Sequence, residues 1–208
     1  MKVSLNEFPT VTCILRGYSL EEVDRILAVL LDSKLRSVEI AYNSPDASNI
    51  VRYAVKKYSD RICFGAGTIT CMEALADVVD AGVDFVLSPT TFTKEMLDYC
   101  KAHNVISVPG AFSPSEVSDQ FKKGADIVKV FPAVVATPTY FRQLAGPMGR
   151  LPLMAVGGVN AKNSADFMEA GASYLGIGSG MFNKEDVAKG DLEAMKNSIK
   201  EFEVALKL

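Results

Sequence analysis

The chain alternates short apolar runs with longer stretches of helical periodicity. Val11–Leu15 is the first run, rich in β-branched residues and too short for a helix, so it predicts a strand. Ser19 follows with Glu22 three residues on, the capping-box spacing, and predicts a helix from there to about Leu31. The alternation then repeats. A strand over 38–41 precedes a helix over 46–57, and a run at 62–64 leads into Gly65-Ala66-Gly67-Thr68. A helix from about Cys71 ends near Ala81-Gly82. Phe85–Leu87 is a strand stopped by Ser88-Pro89, and a helix over 94–103 follows. A strand over 105–108 is stopped by Pro109-Gly110, and the helix over 113–123 has Pro114 at its first position. The sixth strand, 127–131, lies between Gly124 and Pro132, with a helix over about 138–145 behind it. Leu153–Val156 is the seventh, then Gly157-Gly158 and a helix from about Asn163. Tyr174–Ile177 is the eighth, then Gly178-Ser179-Gly180 and one last helix.

Eight strand–helix units in 208 residues predict an α/β protein, a single-domain (β/α)8 TIM barrel over residues 1–208. Glycines at Ala81-Gly82, Gly124-Ala125 and Ala170-Gly171 each fall just before a strand, where they close the preceding helix. An open doubly wound sheet is the runner-up. It would want a Gly-rich fingerprint after the first strand, and Arg16-Gly17-Tyr18 is not one.

Composition narrows the function. A hydrophobic content of 49% supports one sizeable core, and a net charge of −3 without a basic block gives no surface for nucleic acid or membrane. No run reaches membrane-spanning length, and the N-terminus shows neither a long apolar run nor a cleavage site. Cys13, Cys63, Cys71 and Cys100 show no CxxC spacing and fit the reduced thiols of a cytoplasmic protein. The lone histidine, His103, falls at a helix end, as a surface or capping residue. No His/Cys cluster exists from which a zinc site could be built.

Lys129 is the residue that breaks the pattern. It interrupts the apolar sixth strand, which reads as buried on both faces, alongside Ile127 and Phe131. Burial lowers an ammonium pKa, and a neutral amine can attack a ketone to form a Schiff base. The plainer reading is a lysine that snorkels to solvent. Glu39 breaks the second strand in the same way and is a natural partner for Lys129 across the barrel mouth, as acid and base or as half of a structural ion pair. Arg16 ends the first strand, where it is placed to grip a carboxylate or to lie solvated. Gly65-Ala66-Gly67 allows close backbone approach, and Thr68 offers a hydroxyl. Asn43, in Asn43-Ser44-Pro45, reads as a turn residue. Gly157-Gly158 and Gly178-Ser179-Gly180 follow strands seven and eight, where barrel loops and a short helix N-terminus often bind phosphate.

These motifs occur together and in order. Gly65-Ala66-Gly67-Thr68, Ser88-Pro89, Val108-Pro109-Gly110 with Ser113-Pro114-Ser115-Glu116, Lys129-Val130-Phe131-Pro132-Ala133 and Gly157-Gly158-Val159 resemble the 2-keto-3-deoxy-6-phosphogluconate aldolase family over about residues 11–182. The resemblance implies a class I, Schiff-base aldolase acting on a phosphorylated keto acid, with relatives that cleave the galactonate epimer or 4-hydroxy-2-oxoglutarate. By position it implies Lys129 as Schiff-base lysine and Glu39 as acid/base. It makes Arg16 and Thr68 carboxylate contacts, Pro89 and Phe131 pocket walls, and Gly157, Gly158, Gly178 and Ser179 a phosphate cradle. It further implies no cofactor, no metal and a homotrimer. Ala155-Val156 before the glycine pair, Asn43 where some members carry arginine, and Ile14-Leu15-Arg16-Gly17 are similar to the galactonate-type branch. Ser88-Pro89 and Ala145-Gly146-Pro147 are similar to gluconate-type members. The competing readings are a phosphate-binding barrel isomerase or epimerase that forms no Schiff base, and a non-catalytic phospho-sugar binder.

Overall fold

The computed structural model describes residues 3–208. Its strands are β1 (Val11–Leu15), β2 (Ser37–Ala41), β3 (Cys63–Gly67), β4 (Phe85–Leu87), β5 (Ile106–Val108), β6 (Gly110–Ala111), β7 (Val128–Val130), β8 (Leu153–Val156) and β9 (Tyr174–Ile177). The helices are α1 (Leu20–Leu30), α2 (Ala47–Tyr58), α3 (Met72–Asp80), α4 (Lys94–Ala102), α5 (Pro114–Lys123), α6 (Ala133–Met148), α7 (Ser164–Glu169), α8 (Lys184–Lys189) and α9 (Leu192–Ala205).

All strand pairs among the described residues are parallel, in the order β5-β4-β3-β2-β1-β9-β8-β7-β6. The two ends of that order, β5 and β6, are joined in sequence through Pro109, so they are halves of one strand: the fifth, expected to stop at Val108, resumes beyond the proline at Gly110. Val108 O accepts from Ser88 N–H on one side, and Pro109 O accepts from Lys129 N–H at 2.9 Å on the other. The sheet thus closes on itself as a (β/α)8 TIM barrel. Proline has no N–H to give to a ladder, which is why the strand is interrupted there.

Parallel register sorts side chains into two cores. Ile14, Phe85, Leu87, Ile106, Val108, Ile127, Met154 and Val156 fill the barrel interior, with Phe8 plugging its N-terminal end. Phe8 meets Phe85 edge-on at 5.0 Å and Tyr174 at 5.3 Å. Gly65 is a glycine because a Cβ there would overlap the Phe85 ring. The larger core lies between strands and helices, where each helix buries one stripe, as α1 does with Val23, Ile26, Leu27 and Leu30.

The capping signals hold. Ser19 with Glu22 and Ser113 with Glu116 both form capping boxes, and Pro114 occupies the first turn of α5. Gly82, Gly124 and Gly171 all have positive φ. Three further details differ from the sequence reading. The last helix is two, α8 and α9, because Gly190 at φ 72° ends α8 and Asp191 caps α9. The helix expected over 138–145 starts earlier, at Ala133, and kinks at Thr137 just before Pro138, whose ring disfavours helical backbone in the preceding residue. The lysine strand is shorter than 127–131, and Phe131, at 37% exposed, is not buried but stands at the cavity mouth.

Candidate active site

The C-terminal ends of the strands surround a cavity of about 380 Å³. Its lining includes every site residue that the family resemblance implies: Arg16, Glu39, Thr68, Pro89, Lys129, Phe131, Gly157, Gly158, Gly178 and Ser179. It also includes Ile14, Val156 and Val159. Parallel register makes this possible, since Ile14, Glu39 and Gly65 are paired across β1, β2 and β3 and point the same way.

Glu39 is 1% exposed and Lys129 5%. Neither makes a hydrogen bond or an ion pair within 4 Å among the described residues, and Glu39 Oε2 is buried without a partner. The structural ion pair therefore does not form; the two groups face a shared space. Burial pushes the Lys129 ammonium below the usual lysine range; the Glu39 charge opposes this and Arg16 adds to it. Burial likewise raises the Glu39 carboxyl, against Lys129 and Arg16. Lys129 Nζ lies 4.9 Å from the centre of the Phe131 ring. Asp84, the other buried acid in the barrel wall, differs: it accepts from Phe64 N–H and is occupied in holding β3.

Gly67 explains how Glu39 fits. A Cβ on Gly67 would overlap the Glu39 carboxyl group and lie 2.9 Å from its Cγ. From the sequence, the glycines of Gly65-Ala66-Gly67 suggest room for a ligand; in the fold the first makes room for Phe85 and the second for Glu39.

Arg16 is held by two neutral oxygens. Nη1 donates to Asn43 Oδ1, and Nη2 donates to Thr68 Oγ1 at 3.1 Å. Thr68 adopts φ 62°. A left-handed backbone at a β-branched residue costs about 1–2 kcal/mol and persists only where its surroundings hold it. Asn43, a turn residue by its sequence context, reaches Arg16 because the register sets β1, β2 and β3 side by side; nothing in the sequence signals that contact.

At the opposite rim, Gly157 and Gly158 have φ 94° and 77°. Among the described residues, the N–H groups of Gly158, Val159, Ser179 and Gly180 find no acceptor in the protein. They and the Ser179 hydroxyl can serve an anion without any lysine or arginine. Neither loop runs straight into a helix, since α7 begins at Ser164 and α8 at Lys184, so loop amides and not a helix N-terminus form this rim. Gly158 also has a packing reason, because a Cβ there would come 2.5 Å from Val134 Cβ. No group of three or more His, Cys, Asp or Glu side chains among the described residues is arranged to hold a metal ion. No helix among them is long and apolar enough to cross a membrane.

The family model described as KDPG and KHG aldolase matches residues 3–198. A protein of Rhizobium meliloti named "Probable 2-dehydro-3-deoxy-6-phosphogalactonate aldolase" is 30% identical over 86% of this chain and 84% of its own. The 2-dehydro-3-deoxy-6-phosphogalactonate aldolase of Escherichia coli is 27% identical over 81% and 82%. Among solved structures, one described as native KDPGal superposes with a TM-score of 0.86 at 24% identity, covering 97% of this chain and 98% of that one. The KDPG aldolase of Legionella pneumophila, solved with pyruvate captured as a covalent carbinolamine, does so with a TM-score of 0.81 at 22% identity, covering 91% and 92%.

Proposed function

The chain belongs to the KDPG and KHG aldolase family of carbon–carbon lyases, and from that premise we propose that residues 1–208 act as one class I aldolase domain cleaving a 2-keto-3-deoxy-6-phospho sugar acid. The observation that carries the reading is the pairing of Lys129 and Glu39: both are buried, both face one cavity, and they do not touch. A lysine depressed by burial supplies the neutral amine that a Schiff base needs. An acid with a free oxygen across the same space supplies a proton carrier.

The steps follow from these positions. Arg16 and Thr68 bind the carboxylate and the unpaired loop amides bind the phosphate, which lays the chain of the substrate across Lys129. The amine adds to the ketone, and loss of water gives an iminium. Glu39 takes the proton of the hydroxyl on carbon four, through a water molecule. The bond between carbons three and four breaks, glyceraldehyde 3-phosphate leaves, and the electron pair rests in an enamine. Glu39 returns a proton to carbon three, and water releases pyruvate. Pro89 and Phe131 wall the site and limit water around the amine.

Of the two epimers we assign the galactonate type. Both relatives described above carry that name, and the arginine at the cavity comes from β1, with asparagine at position 43. Comparing kcat/KM on the two epimers tests this: a preference for the gluconate epimer refutes it. The class I assignment is tested by borohydride reduction in the presence of pyruvate. A reduced adduct on Lys129 is expected, and its absence refutes it.

The protein acts in the cytoplasm, a reading its four free thiols support. It assembles as a homotrimer, and Val134 and Val135, 53% and 66% exposed, with Phe112 stacked beside Tyr140, offer an apolar surface for a second copy. Light scattering that gave the mass of one chain would refute the trimer.

A further inference from the structure

The loop after β2 does more than turn the chain. We propose that Asn43 is a positioning residue that aims the Arg16 guanidinium at the substrate carboxylate, and that it must be a neutral acceptor. The proposal rests on the assignment of Arg16 as a carboxylate contact.

Arg16 has no carboxylate partner in contact. Its two hydrogen bonds go to an amide oxygen and a hydroxyl, and it takes part in none of the ion pairs among the described residues. The guanidinium is thus oriented without being neutralised, and its full charge is left for an anion in the cavity it lines. A carboxylate in the place of Asn43 would orient Arg16 as well but would also compete for its charge.

Asn43 is itself firmly placed. On one side Tyr42 N–H donates to Gly67 O at 2.8 Å, and Tyr42 Oη donates to Asp77 at 2.8 Å. Asp77 is further held by Ser48 and Arg52. On the other side Ser44 N–H donates to Ala41 O, and Ser44 Oγ accepts from Gly17 N–H at 2.9 Å, which ties this loop to the residue after Arg16. Thr68 approaches from β3 with its strained backbone, so the guanidinium is held from two strands at once.

The test uses Asn43→Asp and Asn43→Ala in the full chain. Pyruvate binding is measured by calorimetry, and adduct formation by borohydride trapping at graded pyruvate. Asp is isosteric and preserves the contact with Arg16, so a purely structural role predicts that Asp is tolerated better than Ala. The proposal predicts the reverse order. Asn43→Asp weakens pyruvate binding on the order of tenfold or more, the scale of one charge-assisted contact, and Asn43→Ala weakens it less. The maximal rate of trapping changes little in either, a split between affinity and rate. Asp at least as good as Ala overturns the proposal, as does a wild type that binds no pyruvate. If the wild type binds pyruvate but traps none, the Schiff-base reading falls, while the order of binding among the three proteins still decides the role of Asn43.

Discussion

Gly67→Ala is a single methyl group placed against the proposed acid/base. The Cβ would overlap the Glu39 carboxyl group and sit 2.9 Å from its Cγ. Carbon atoms pack at about 3.5–4.0 Å, so the carboxyl must retreat by about 2 Å or the strands must part. Gly67 has no positive φ, so alanine carries no backbone penalty there, and the overlap is the whole effect. Two consequences separate. Overpacking a buried site costs about 1–3 kcal/mol of stability. A displaced acid/base forfeits on the order of 10²-fold or more of the cleavage rate, the usual contribution of a positioned proton carrier. Urea denaturation and steady-state cleavage measure the two, and pyruvate trapping on Lys129 should survive, because the lysine is on another strand. A double-mutant cycle isolates the cause: in a Glu39→Ala background the carboxyl is gone, so Gly67→Ala should lose most of its destabilisation. Near-normal cleavage by Gly67→Ala, or the same stability loss in both backgrounds, would refute the reasoning.

Other outcomes follow from the same geometry. Lys129→Met should abolish cleavage and the adduct while the barrel still folds, since the cost of burying an ammonium is removed and a side chain of similar length keeps the packing. Because the folded pKa of Lys129 lies below its unfolded value, the unfolded chain holds the extra proton. The wild-type penalty is thus fully present below the folded pKa, shrinks as pH rises from there, and is gone above the ordinary lysine value of 10.5, so the two denaturation curves should draw together in alkali. Glu39→Gln should keep trapping, slow cleavage on the order of 10²-fold, and move the acid limb of the trapping–pH profile to lower pH, because the charge that raises the Lys129 pKa is removed. An unmoved profile would separate Glu39 from Lys129. Gly158→Val strains a positive φ and strikes Val134, so Gly178→Val is the cleaner probe of the phosphate rim: its Cβ meets nothing nearer than Ile14 Cβ at 4.0 Å. It should raise KM on the order of tenfold for the phosphorylated substrate and much less for an unphosphorylated 4-hydroxy-2-oxo acid; equal loss on both would make the loop a plain turn.

The eight-unit order and those helix starts that carry a capping signal were legible because they rest on local rules. Ser19-Glu22 and Ser113-Pro114-Glu116 announce their helices in the sequence, and Gly82, Gly124 and Gly171 their ends. The inward lysine and glutamate were legible because a charge inside an apolar strand is costly to bury and so stands out against its neighbours. What stayed hidden was the relation between neighbours far apart in sequence. Nothing local in Asn43 points to Arg16, nothing local in Gly67 points to Glu39, and the second glycine of Gly157-Gly158 gives no sign of Val134. These depend on which strands lie side by side and in which register, and register is a property of the closed ring.

That closure has a consequence in time. β1 finds its second neighbour only in β9, where Val11 pairs with Leu175 and Cys13 with Ile177, while Lys34 N–H reaches Glu203 near the other end of the chain. A nascent chain that has not yet released residue 177 leaves β1 and β8 as bare edges, the templates on which chains pair wrongly with one another. It also has Arg16 without Gly178 and Ser179, so the cavity lacks one of its two rims. Sealing the ring and completing the cavity are therefore one event, delayed until β9 and the loop after it have been made, and a chain that stops short of them leaves both its strand edges and its cavity open.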